Sequence, residues 1–559
     1  TADADATDTT GGYQRGNYAT LNPLDKNASA TLANGNLDWD KTGTAGYGVV
    51  KSTIAVSSGK WYCEYTLTGN ETSTGQTVGV TLASHTVGNS DYLQSVAGGF
   101  GYYSLNGNIY TSTGSSSYGN TFDVGDTIGI ALDMDNGKLF FSKNGVFQNS
   151  GNPASGTNPA ASGLSGDYVF GVHAGTPTTT APAGSYNFGQ MRFKYPMPSG
   201  YAALNTTALP AATIADGSAQ FNAVVYAGNS GDGLSTTQDV TTSFAPDLVW
   251  IKDRTGTNSN HLFDTIRGAG KRVLSNSTSA ESDVISTLSA FNSDGFTVNG
   301  NNAVNDVGSS YISWNWNAGS STVSNTDGSI TSSVRANPTA GFSVLTYTGT
   351  GSNATVGHGL NAVPEMFILK GRNFTDNWRI YHKNLDATAP ANYYMMLEST
   401  NGRSANSTNI FNQTMPTSSV FSLGTDSAVN GSTRLMVAYC FAPVAGYSAF
   451  GSYEGNGSSD GPFVHLGFAP AFLIIKNIDS AGYNWMIMDS ARDTDNPREL
   501  YLNTNTSNAE DSTSVIEVDF LSNGFKVNDT WNGFNGSGDT MIYMAFAENP
   551  FSANGGLAR

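Results

Sequence analysis

Between Asp123 and Gln148 the chain reads DVGDTIGIALDMDNGKLFFSKNGVFQ, with apolar residues alternating between and around two turn signals, DNG and KNG. Period-two alternation marks a strand with one buried face, and Asn-Gly suits the tight turn of a hairpin. The ribbon between the turns is too short for a helix, so the segment predicts a β-meander. Similar runs, GKWYCEYTL, TVGVTLA, GFGYYSLNGNIYT and YVFGVHAG, recur between turn clusters from about Tyr18 to Gly189, the pattern of a β-sandwich.

Further along, the pattern repeats at intervals of roughly 110 residues. FAPDLVWIKDR, AVPEMFILKGR and FAPAFLIIKNI each place a proline (Pro246, Pro364, Pro470) before an apolar run that ends in lysine (Lys252, Lys370, Lys476). Upstream stand VVYAGN, LTYTGT and GSYEGN, with Tyr226, Tyr347 and Tyr453. Downstream come DGFTVN, SVFSLG and NGFKVN, with Phe296, Phe421 and Phe525, then the closing runs YISWNW, LMVAYCF and MIYMAF. Ordered correspondences in three copies predict three related β-rich domains at 206–320, 335–445 and 446–555. The unbroken runs DLVWIK, EMFILK and AFLIIK suit strands buried on both faces or central in a sandwich, and each proline sits where a strand begins.

Composition agrees with this reading. Only 13% of the 559 residues are charged, and Gly alone contributes 65, a bias toward short strands and tight turns. The predicted class is all-β. Residues 1–14, rich in Ala, Asp and Thr, have little to bury and are expected to form an extended arm. Residues 196–220, without periodicity and punctuated by Pro and Gly, are expected to be an ordered linker.

A net charge of -18 argues against a nucleic-acid partner, which requires clustered Lys and Arg. No run approaches the ~20 apolar residues of a membrane span, and the polar start lacks the features of a signal peptide, so a soluble chain without membrane insertion is expected. Cys63 and Cys440 fall in strands of different domains and read as buried thiols.

The residues of the first region carry a resemblance. GKWYCEYTL (59–67), VGV (78–80), GFGYYSLNG (99–107), YGNTFDVGDTIGIALDMDNGKLFFSKNG (118–145) and YNFG (186–189) follow the order and spacing of a SPRY domain. The resemblance covers roughly 15–195 and implies a twisted β-sandwich that binds partners through loops at one end, with no catalytic residues to carry over. Tyr18–Asp40 and Pro198–Phe221 resemble segments flanking SPRY domains in bacteriophage structural proteins, especially those of marine phages, and the later repeats resemble those of phage virion proteins. The expected architecture is a SPRY-like sandwich followed by three related β-sandwich or jelly-roll-like domains.

A search for chemistry returns little. The six histidines (His85, His173, His261, His358, His382 and His465) show no metal-binding spacing and read as lone structural or surface residues. GSSDG (457–461) matches a nucleophile elbow in letters but lacks the strand and helix that such a turn needs. DMDNG (133–137) is better read as a hairpin turn than a calcium loop, and the acidic loop at Asp493 and Asp495 shows few oxygen ligands. No catalytic residue, metal site or cofactor is expected. Tyr102, Tyr103, Tyr110 and Tyr118, set among Ser, Gly and Asn, are the candidate binding residues, against the alternative that they pack the sandwich.

These readings lead to an expected function: a non-enzymatic structural and binding protein of a tailed-phage virion, as tail fibre, appendage or capsid-decorating element in host attachment. Its expected partners are other virion proteins, a host surface glycan or receptor, and further copies of itself. A bacterial extracellular adhesin and a polysaccharide depolymerase are the alternatives.

Overall fold

The Asp123–Gln148 ribbon consists of strands Thr127–Asp133 and Lys138–Lys143, paired antiparallel from Ile128 opposite Lys143 to Asp133 opposite Lys138. The Asp133 carboxylate accepts from the Asn136 backbone and side chain and pairs with Lys60 at 3.0 Å, while Asp135 accepts from Gly59 N at 2.6 Å, so neighbouring protein groups satisfy the acidic DMDNG turn. These observations come from a computed structural model that describes residues 16–42, 46–69, 74–88, 91–175, 181–230, 236–405, 408–512 and 516–550. The arm expected at 1–14 lies outside the described residues.

The ribbon belongs to a nine-stranded sheet with Lys60–Gly69 near its middle, and a seven-stranded sheet that includes Gln76–Leu82 and Tyr168–Ala174 forms the other layer. Between them lies a core of Trp39, Trp61, Tyr65, Phe141, Phe170 and Tyr186, with buried Cys63 among them. The all-β expectation holds. Helices among the described residues are single turns, none long enough to cross a membrane.

The expected linker at 196–220 is instead built into its surroundings. Ala202–Ala203 pairs parallel with Trp61–Tyr62, and Leu204 is buried in the sandwich core. Ile214 already belongs to the core of the next region.

The three repeats share one topology. Neighbouring strands are Phe221–Ala227, Ser310–Trp316, Leu248–Asp253 and His261–Asp264 in the first copy. They are Phe342–Thr348, Leu435–Phe441, Met366–Gly371 and Arg379–His382 in the second, then Ser448–Glu454, Thr540–Pro550, Phe468–Asn477 and Met486–Asp489 in the third. In sheet order these are the opening, closing, proline-led and following strands, the closing strand coming last along the chain. A smaller sheet covers one face of each: Gln238–Thr241 with Gly295–Val298, Ala354–Gly357 with Val420–Leu423, and Phe463–His465 with Gly524–Val527. Pro246 and Pro364 precede their strands as expected, whereas Pro470 lies inside Phe468–Asn477 where the register shifts, a bulge that removes the need for its missing N–H.

Alternation shows what covers the other face. Val249 and Ile251 point toward the first copy's small sheet, while Leu248 and Trp250 join a cluster common to all three copies. Phe367 and Leu369 divide from Met366 and Ile368 in the same way. At the centre, the last aromatic of each closing strand, Trp316, Phe441 and Phe546, meets the other two at centroid distances of 6.4, 5.8 and 6.1 Å. Three equivalent positions in mutual contact define a pseudo-threefold axis. The three related domains expected from the sequence therefore form one ring around a shared core, and the first two keep a further core of their own under the small sheet.

The seams close the ring. Lys252 of the first copy donates to Ser507 O of the third at 3.3 Å, Lys370 of the second to Thr278 O of the first at 2.8 Å, and Lys476 of the third to Thr400 O of the second at 3.3 Å. At each seam a backbone N–H also crosses, from Glu281 to Arg372 O, Glu510 to Arg254 O and Arg403 to Ile478 O. Side chains add ion pairs: Arg372–Glu281 at 2.9 Å, Arg254–Glu510 at 2.7 Å and, with the signs exchanged, Arg403–Asp479 at 3.1 Å. Within each copy the predicted tyrosine pins the turn before the closing strand, donating to Val304, Val429 or Phe534 O at 2.7–2.8 Å. The SPRY-like sandwich rests on the third copy, where Asn523 donates to Thr53 O at 2.7 Å.

Candidate functional site

On the strand Phe100–Tyr103, Tyr102 and Tyr103 must face opposite ways. Tyr102 turns inward. It is 0% exposed, packs on Phe122 and Phe141, and bonds through its hydroxyl to Asn120 O. Tyr118, 8% exposed, joins the same core and accepts from Phe141 N at 3.2 Å. Neither ring reaches a ligand from there, so both are corrected from binding candidates to packing residues. Burial raises both hydroxyls above the usual tyrosine range, Tyr118 to about 12.

Tyr103 and Tyr110 turn outward, with centroids 5.4 Å apart, and line a cavity of about 770 Å³. Its floor is a cross-strand row, since Tyr103 stands opposite Thr77 and Thr77 opposite His173. The walls hold Tyr47 and Tyr92, 5.2 Å apart, each also against the His173 ring at 5.9 and 5.7 Å. Gln94 reaches in beside Gly101, where a Cβ would come within 2.2 Å of Thr77 and 3.1 Å of the Gln94 amide oxygen.

Two polar atoms here have no hydrogen-bond partner, Gln94 Oε1 and His173 Nδ1, on residues only 4% and 6% exposed. Burial pushes the His173 pKa down to about 3, so its ring is neutral at ordinary pH. No Asp, Glu, Lys or Arg stands among the described residues of the lining. The arrangement offers rings, hydroxyls and amides without formal charge, and is suited to binding.

Of the residues here, sequence reasoning reaches Tyr103 and Tyr110 and misses Tyr47, Tyr92, Gln94 and His173. A histidine in the apolar run YVFGVHAG was the available signal. Elsewhere, Ser459 of GSSDG lies on an exposed turn. The Asp493 carboxylate accepts from the backbones of Glu499 and Leu500, which closes that loop on itself. No group of three or more His, Cys, Asp or Glu among the described residues is placed to hold a metal ion.

Comparison with known families divides the chain in the same way. The family model described as "Domain of unknown function (DUF7483)" matches residues 216–550, which takes in every strand of the ring. The chain belongs to the DUF7483 family. That model treats the three copies as one unit, in keeping with their shared core. A SPRY domain is matched at 60–158, within the sandwich that carries the cavity. Among solved structures, the chain is similar to the SPRY domain of human HERC1, at 19% identity and TM-score 0.26, covering 31% of this chain and 99% of that one. A second human SPRY domain shows 12% identity and TM-score 0.21, covering 29% and 98%. No curated protein matches the chain.

Proposed function

We propose that this DUF7483 protein is a non-enzymatic binding protein in which the ring serves as a base and the SPRY domain as the recognition head. One observation carries the reading. The strand Tyr168–Ala174 runs from the ring to the cavity: Asp167, just before it, lines the cleft shared with His465 and Leu466 of the third copy, whereas His173 and Ala174 line the aromatic cavity. At about 3.4 Å per residue, the site stands some 20 Å along the strand from the base. A rigid support with an uncharged, ring-lined cavity at its far end suits attachment.

The resemblance of the flanking segments and repeats to phage proteins supplies the setting, a tailed-phage virion in which the chain acts as tail fibre, appendage or decorating element. There it contacts other virion proteins and further copies of itself. Mass spectrometry of purified virions is expected to find the chain at fixed copy number, and labelled full chain to decorate host cells. Absence from particles removes the virion setting. Failure to bind any host surface removes attachment, and release of reducing ends from host polysaccharide would make the chain a depolymerase instead.

A further inference from the structure

Resting on that binding reading, we propose that the cavity formed by Tyr47, Tyr92, Gln94, Tyr103, Tyr110 and His173 takes a neutral saccharide. The volume, about 770 Å³, lies in the range of small-ligand sites and holds one or two sugar rings. Tyrosines with Thr, Ser and Gly between them combine broad apolar faces with adaptable hydrogen bonding, and the apolar face of a pyranose is a natural partner for such rings.

The unpartnered atoms narrow the class. Both atoms are shut off from water in the empty site, where an acceptor without a donor is destabilising, and a small turn of either side chain toward a ligand hydroxyl relieves it. Gln94 Oε1 accepts only, while His173 Nδ1 accepts or donates according to tautomer, and a sugar hydroxyl satisfies either demand. Charge narrows it further. With no cationic side chain among the described lining residues and a net charge of -18, a uronate, a sialic acid or a phosphate would enter without compensation. An aliphatic ligand would leave both polar atoms unpaired.

The test uses the full chain and ligand-observed NMR saturation transfer with glucose, galactose, mannose and N-acetylglucosamine, alongside glucuronate and an uncharged peptide. Transfer from at least one neutral sugar is expected. Gln94→Met, which keeps the shape and removes the acceptor, should weaken binding roughly tenfold with the melting temperature unchanged or raised. Tyr110→Ala, at a half-buried position outside the core, should weaken it as well. The proposal is overturned if no neutral sugar binds, if binding survives both substitutions, or if only glucuronate or the peptide binds. Cell decoration that persists in Gln94→Met would leave attachment standing and remove the saccharide. Sugar binding without cell decoration would do the reverse.

Discussion

The SPRY sandwich and the ring bury similar kinds of side chain in opposite arrangements. The sandwich closes its core between two sheets of a single unit, and the outer face of one sheet is left free to carry a cavity. Each ring copy fills one face with its own small sheet and leaves the other incomplete until two more copies arrive. The difference teaches that the unrepeated unit closes its core alone and leaves a sheet face open, whereas the repeated units close theirs only together.

Removing the third copy, residues 446–550, should break this contrast most severely. Trp316 and Phe441 would then face water, and the remaining copies should lose cooperative folding while the sandwich keeps its own melting transition. A two-copy fragment that melts cooperatively would show that the shared core is dispensable. Phe546→Ala is expected to cost about 3–5 kcal/mol, as for other buried aromatics, and to speed hydrogen exchange in all three copies. Phe141→Ala should cost a similar amount with its effect confined to the sandwich, and exchange changes that cross between the regions would blur the distinction.

Smaller effects sharpen it. Asn535, fully buried, accepts from Asn456 N and donates to Ser458 and Asp529 O, so Asn535→Ala should cost about 1–3 kcal/mol in chemical denaturation. The smallest is a proton count. Burial lowers Lys252, Lys370 and Lys476 from 10.5 to about 8, so between these values the unfolded chain holds protons that the folded chain has released. Across that window these groups make stability rise with pH, and below about pH 8 their contribution is flat. Calorimetric unfolding near pH 9 in buffers of different ionisation enthalpy should show proton uptake that Lys370→Met reduces by up to one. Equal uptake in that variant would mean that the seam lysine stays charged.

Much of the repeat was legible because its marks are local. Tyr226 and Lys252, with their counterparts, keep the same order along the pattern and hold equivalent places in space, whereas Pro470 departs from Pro246 and Pro364 by lying in a bulge inside its strand. Asn305, Asn430 and Asn535, buried in each copy, were legible in NAVN, SAVN and NGFN but pass unnoticed in a chain so rich in asparagine. The ring was not legible, although the runs DLVWIK and EMFILK do declare two buried faces. Alternation says that a face is covered, not by what. In the site, parity alone separates Tyr102 from Tyr103, but Tyr118 lies outside a strand and has no parity to read. Gln94, in a loop, is placed by the fold around it.

The exchanged signs at one seam have a bearing on assembly. Look-alike copies on neighbouring chains are apt to join in the wrong order and grow into open polymers. Here the second copy offers Arg403, which would meet Arg254 or Arg372 at either of the other receiving edges and be repelled. The first and third copies offer Glu281 and Glu510, which Asp479 would repel in turn. One inverted pair thus acts as an address, favouring closure of the chain upon itself in a single order.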